Sequence, residues 1–416
     1  MPTGGRPRRL LRLSDDACPA RPQGTLDGAY LPVGRLCPNP SPPSARREDD
    51  ELTLAAAAPE TDDGSTTREG REGAGSLLPV IRAIPPEAYD NPTWRGLAYV
   101  LRDLAVYAAA VAGLLLTNHP LVVVPLWVLA GLAISGLFVV GHDAAHGALF
   151  ASKRLNGVVG RLAMLPSFHV YEGWILGHNR VHHQYTVRQG FDFVWHPYTA
   201  EQYRAMSRFQ RLRHRFEWSW LGAGAYYTRE VWWNRMMVGE VPKRFVEPIH
   251  RDRRLVWSWF VVVVAATAAF GWVDGGSLLA AVWTPVKVVV VPFLAFQFII
   301  GSVVHVHHIA PDIRWWPRRE WTKFKGQMEG TTILRAAPGL NLFFHWIMVH
   351  IPHHVDVRIP MYRLELAAEA IKEAFPDTVH DEKLRFRDFI ANTRVCKLYD
   401  FEAGHWLSYR EALAEA

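Results

Sequence analysis

Four long apolar runs, arranged as two close pairs, constrain this chain more than any other feature. The first pair is LAVYAAAVAGLLLT, ending at Thr117, and LVVVPLWVLAGLAISGLFVV, from Leu121 to Val140. As a helix the second run is about 30 Å long, the depth of a bilayer's hydrocarbon core. The second pair is Leu255 to Trp272 and Leu278 to about Val304, joined by Val273-Asp274-Gly275-Gly276-Ser277 and interrupted by Pro285 and Pro292. Connectors this short leave each pair antiparallel. Apolar runs of about 20 residues without a polar stripe are rare inside soluble proteins. The expectation is an all-α integral membrane protein with four transmembrane helices over about 98–117, 121–140, 255–272 and 278–304.

Charge orients the spans. The connectors 117–120 and 273–277 contain no Lys or Arg, whereas Gly147 to Arg254 contains 17 of them against 8 Asp plus Glu. Positive segments stay on the cytoplasmic side, so the long middle segment and both termini are expected there, with a helical cap on that face. Between Leu155 and Leu176 a moderately apolar stretch, broken by Arg161 and Pro166, reads as a helix lying at the interface. Lys287, within the fourth span, reads as a side chain that snorkels or faces a neighbouring helix. Residues 1–78 carry 10 Arg, no Lys and 12 Asp plus Glu, with Tyr30 as their one aromatic residue. Such a segment cannot build a core and is expected to be a disordered extension, leaving 79–416 as the folded domain.

Three cysteines, Cys18, Cys37 and Cys396, are too few and too scattered for a thiolate metal site or a disulfide framework. Histidine is a different matter. His142-Asp143-Ala144-Ala145-His146 closes the second span, and the other two clusters are His178-Asn179-Arg180-Val181-His182-His183 and His350-Ile351-Pro352-His353-His354. On an α-helix His142 and His146 share a face, as do His178 with His182, and His350 with His353 and His354. Imidazole is the commonest neutral ligand for iron, zinc and copper. Eight imidazoles exceed one tetrahedral zinc and fit two metals with open positions, as dioxygen activation needs.

With these clusters the sequence resembles the membrane-bound fatty-acid desaturases, whose three histidine boxes hold a non-haem di-iron centre. Each box is matched in order and spacing, and the resemblance covers about Pro85 to Asp400, including GHDAAHGALF, GHNRVHHQYT, FDFVWHPY and HHVDVRIPMYRL. It implies that His142, His146, His178, His182, His183, His350, His353 and His354 hold two iron ions. Near the end of the fourth span, Gly301-Ser302-Val303-Val304-His305-Val306-His307-His308 stands where related enzymes show Gln-His-Thr-His-Pro, which makes His305 the ninth candidate ligand and His345 its rival. Asp143 and Asp356 adjoin ligand histidines and are expected to accept an imidazole N–H. Pro352 suits a first helical turn.

The implied activity is desaturation with dioxygen as co-substrate, placing a cis double bond in the acyl chain of a membrane lipid or a thioester held in an apolar slot between the spans. The resemblance is to bacterial acyl-lipid desaturases, hence an inner membrane. No His-Pro-Gly-Gly motif of a fused cytochrome is present, so a separate carrier such as a ferredoxin or a b-type cytochrome would supply electrons. Arg204, Arg208, Arg211, Arg213 and Arg215, followed by Trp218, Trp220, Trp232 and Trp233, read as contacts to anionic headgroups or an acidic carrier rather than to nucleic acid. A related di-iron hydroxylase or ketolase is the nearest alternative. A metal transporter fits less well, because its ligands would lie near the middle of the spans.

Overall fold

The computed structural model describes residues 75–414. The expected N-terminal extension therefore lies outside the described residues, apart from 75–78. Among the described residues, four helices are long and apolar enough to cross a membrane: Thr93–Leu116, Pro120–His146, Lys243–Gly275 and Leu278–His308. Pro120 opens the second at a position where a missing N–H costs nothing, and Gly147, with φ 75°, closes it in the left-handed conformation. Ser277 caps the fourth through its hydroxyl, which accepts the Ala280 N–H.

The second span is the central one, with 56% of its apolar window buried, while the third has 11% and turns its Val and Phe side chains outward. The fourth packs beside the second, then against Ala223–Tyr226. Gly301 is required at that crossing, since a Cβ there would stand 2.4 Å from the Ala223 carbonyl oxygen. Beyond Pro285 the fourth span widens into a π-helical turn, Val286–Val290. Lys287 leaves this turn toward a neighbouring helix rather than toward solvent. Its Nζ donates to Thr117 O at 2.9 Å and to Asn118 Oδ1 at 2.7 Å, satisfying the end of the first span.

The expected interfacial helix is shorter than 155–176. It covers Lys153–Met164 and stops before Pro166, with Val158 and Leu162 exposed on its apolar side. Arg161 fastens it to Asp252 at the foot of the third span, 3.0 Å away, and to Glu172. The arginine-rich stretch forms the helix Arg208–Glu217, on which Phe209, Leu212 and Phe216 share an exposed face between the arginines. That pattern suits a membrane surface. Trp218 departs from the expected interfacial role: it is buried against Trp195 and Trp406.

Among the described residues, the remainder is short helices and loops with two small sheets. Ile333–Arg335 pairs in parallel with Asp381–Lys383, and Leu398–Asp400 antiparallel with His405–Leu407. The first sheet positions the third histidine cluster, because Leu334 N–H donates to Met348 O and Thr332 O accepts the His350 N–H.

Candidate metal centre

The three clusters meet at one end of the second and fourth spans. Three groups form, each with ligand nitrogens within 4.8 Å of one another: His142, His146, His178, His183 and His353; His182, His308 and His354; and His307, His308 and His350; the last two share His308 and together make a second group beside the first.

The middle cluster does not pair as an α-helix predicts. Ile175–His182 is π-helical, and the His183 N–H bonds back to His178 O, five residues earlier. The wider turn brings His178 and His183 onto one face and sends His182 to the other group. The third cluster, on the helix His350–Val355, divides similarly: His353 joins the first group while His350 and His354 face the second. Adjacent histidines point in different directions around a helix, so His182-His183 and His353-His354 each serve both groups. The Tyr171 hydroxyl donates to Ala144 O and the Asn179 amide to Ala145 O, locking the second cluster against the first.

In the first group Nε2 atoms follow one another at short range: His142 to His178 at 2.8 Å, His178 to His183 at 3.0 Å, His183 to His353 at 3.1 Å. Nitrogens bound at about 2.1 Å, at right angles about one ion, stand about 3.0 Å apart. Both ring nitrogens of His146, and Nδ1 of His142, His183 and His353, are buried without a hydrogen-bond partner. Buried polar atoms ordinarily find partners, and a cation at the Nε2 convergence would supply one for His146, which lacks any. Burial and neighbouring imidazoles hold His183, His350, His353 and His354 well below the usual imidazole range. These rings are neutral, the form that binds a metal.

The second group shows how its tautomers are set. Asp192 accepts from His182 Nδ1 at 3.0 Å, Gly330 O from His308 Nδ1 at 2.9 Å, and Ile347 O from His350 Nδ1 at 3.0 Å. His354 Nδ1 donates to Gln327 Oε1 at 2.7 Å. Gln327 cannot present its other end, because its Nε2 is donating to His183 O at 2.7 Å. Four rings thus spend Nδ1–H on an oxygen and keep the Nε2 lone pair free, the arrangement that orients metal-binding histidines. His354 and His350 bring these nitrogens to 3.1 Å.

His305 is not among the groups. It lies against Trp195 and Phe389 with both nitrogens unpartnered, and His307 and His308 are the residues that reach the site. His345, the rival, is tied instead to the first span, 2.6 Å from Asp103, beside Arg102. Neither expected carboxylate contacts an imidazole: Asp143 accepts the Met361 N–H, and Asp356 holds Arg358 and the Tyr89 hydroxyl. Sequence reasoning missed His307, His308, Asp192 and Gln327. Asp192 was within the quoted FDFVWHPY stretch, and His308 lies one turn beyond His305, but Gln327 carries no local signal.

The sequence model of the fatty acid desaturase family matches residues 118–383. The sn-1 oleoyl-lipid 12-desaturase of Synechocystis sp. is 30% identical over 333 residues, which cover 79% of this chain and 90% of that protein. The chloroplastic omega-6 fatty acid desaturase of Glycine max is 27% identical over 334 residues, 79% of this chain and 74% of that protein. The corresponding enzyme of Arabidopsis thaliana is 27% identical over 370 residues, 88% and 78%. The chain belongs to the fatty acid desaturase family, a class of oxidoreductases acting on fatty acyl lipids.

Proposed function

We propose that this protein is a di-iron, dioxygen-dependent acyl-lipid desaturase that introduces a cis double bond into the acyl chain of a membrane lipid. The convergence of histidines from three clusters into adjoining groups with free Nε2 atoms carries the reading. His142, His146, His178, His183 and His353 would hold one iron; His182, His308, His350 and His354 would hold the other. Bound iron supplies dioxygen and one-electron chemistry that no side chain can perform. The chain's own part is to hold neutral imidazoles in place, to fix His182 and His354 through Asp192 and Gln327, and to bury the site away from bulk water. In the balance, two hydrogens from neighbouring methylenes, with two electrons and two protons from outside, reduce dioxygen to two waters.

The electron donor in this reading is a separate carrier, a ferredoxin or a b-type cytochrome. The histidine face and both termini are cytoplasmic, in a bacterial inner membrane, with residues 79–416 as the catalytic domain and 1–78 as an extension. Similarity to the sn-1 oleoyl-lipid 12-desaturase of Synechocystis sp. makes an oleoyl lipid the first substrate to offer.

The test is the fatty-acid profile of a host membrane containing the protein and a compatible electron donor, beside a His182→Ala control, with double bonds mapped by mass spectrometry. A new unsaturated species absent from the control is expected. Oxygenated products alone, from protein carrying iron, would replace desaturation with hydroxylation.

A further inference from the structure

A cavity of ≈ 590 Å³ lies between the fourth span and the segment carrying Leu221 to Trp233. Its wall is largely apolar, with Leu221, Leu294 and Trp233 exposed on the flank where the spans present hydrocarbon side chains. One lining residue does not fit an apolar slot. Gln297 is 1% exposed, and neither its amide nitrogen nor its amide oxygen has a hydrogen-bond partner. Two orphaned atoms on one buried amide are costly, and the cost is recovered when a ligand brings the complementary group. Polar neighbours do not fill the role: the Thr228 hydroxyl donates to Gly224 O, and Arg229 is committed to Glu217.

The Nε2 side of this amide calls for a ligand that is mostly apolar, arrives from the membrane side and carries a hydrogen-bond acceptor. An ester carbonyl on a hydrocarbon chain meets all three conditions. Trp232 and Trp233 line the same cavity, and tryptophan favours the level where acyl chains meet headgroups. The position also suits the histidines. Phe296, the neighbour of Gln297, packs against Phe138, which lies one turn, about 6 Å, before His142. His308 lies eleven residues beyond Gln297 on the same span, about 16 Å along the axis. A staggered alkyl chain of bonds about 1.5 Å long advances about 1.25 Å per bond, so the roughly 16 Å along the span corresponds to about thirteen bonds.

We propose that this cavity admits the acyl lipid from the side and that Gln297 Nε2 donates to the ester carbonyl of the chain to be oxidised. Gln297 is then a positioning residue, which sets the distance from carboxyl end to histidines and brings mid-chain methylenes to the site. The proposal rests on the acyl-lipid reading above.

The test compares binding of a dioleoyl glycerophospholipid with its dialkyl ether analogue, which lacks the carbonyls, by native mass spectrometry of the full-length protein. Wild type is expected to prefer the ester about three- to tenfold, the worth of one hydrogen bond, and Gln297→Met to lose that preference. Isotope-edited infrared spectra of carbonyl-labelled lipid bound to wild type provide a second measurement, independent of how the variant folds. A hydrogen-bonded carbonyl band is expected. Equal affinity of wild type for ester and ether, or a free carbonyl band, overturns the proposal. A wild-type fatty-acid profile with no new double bond would instead remove the functional reading on which it rests.

Discussion

Replacing Asp192 by Asn changes one atom and tests whether tautomer control holds the second histidine group together. Both carboxylate oxygens of Asp192 are only acceptors: His182 Nδ1 lies 3.0 and 3.1 Å from them, Val194 N–H donates to Oδ1 at 3.2 Å, and Val187 N–H to Oδ2 at 3.0 Å. An amide at this position must turn its NH₂ toward one of those donors. Either a backbone N–H loses its acceptor, or His182 gives up its Nδ1 proton, carries it on Nε2, and loses the lone pair a metal needs. A hydrogen bond to a charged group contributes about 1.5–3 kcal/mol, which corresponds to about a ten- to hundredfold loss of metal affinity. The assay is iron content per chain of purified protein during titration with a chelator, for wild type and Asp192→Asn, with unfolding temperature followed in parallel. On the di-iron proposal, the variant should release one of two irons at a chelator concentration at least tenfold lower. Retention of both irons within twofold of wild type, in a variant as stable as wild type, would refute the tautomer argument.

The π-helical turn makes a prediction that an α-helix would not: His183→Ala and His353→Ala should deplete one metal position, and His182→Ala and His354→Ala the other. Mössbauer spectra of iron-57-loaded variants should therefore fall into two classes that follow this grouping. Lys287→Met would leave the Thr117 carbonyl without its Lys287 donor and the Asn118 amide oxygen with the Trp283 indole N–H alone, at a cost of about 1–3 kcal/mol; a lower unfolding temperature with unchanged double-bond position is expected. Gly301→Val would force the fourth span away from Ala223, where even a Cβ has 2.4 Å, and should abolish the yield of folded protein as read by size exclusion. His380 pairs with Asp312 at 3.0 Å; its hydrogen bond to that carboxylate raises the imidazole above its ordinary value and holds Asp312 below its own. The sign for His380 is a stabilisation complete below the ordinary imidazole range and lost as pH rises through its raised value. For Asp312 it is lost as pH falls through the lowered carboxylate value. His380→Ala should flatten thermal stability in both windows.

The four spans and the three histidine clusters could be read directly, because burying a membrane helix demands an unbroken apolar run and binding a metal demands particular atoms at short spacing. Both are properties of a local stretch, and so is the cap at Ser277 or the helix stop before Pro166. What could not be read was which imidazole joins which. His178 looked like the partner of His182 because α-helical spacing was assumed, whereas Asn179 on Ala145 and Tyr171 on Ala144 accompany a wider turn in which His183 takes that place. His305 looked like the ninth ligand by position in a motif, yet packing against Trp195 and Phe389 turns it away, and His308, three residues on, faces Gly330 and the second group.

Sequence by itself determined the membrane class, which follows from composition within short segments, and the resemblance carried by the histidine motifs pointed to the family and to the eight box histidines as candidate ligands. The tertiary structure alone decided the grouping of the histidines, the ring nitrogens left free by Asp192 and Gln327, and the orphaned amide of Gln297 beside its cavity. Those depend on groups far apart in the chain: Gln327 meets His354 and His183 only because separate elements pack together, and no local pattern encodes which distant atom will complete a hydrogen bond.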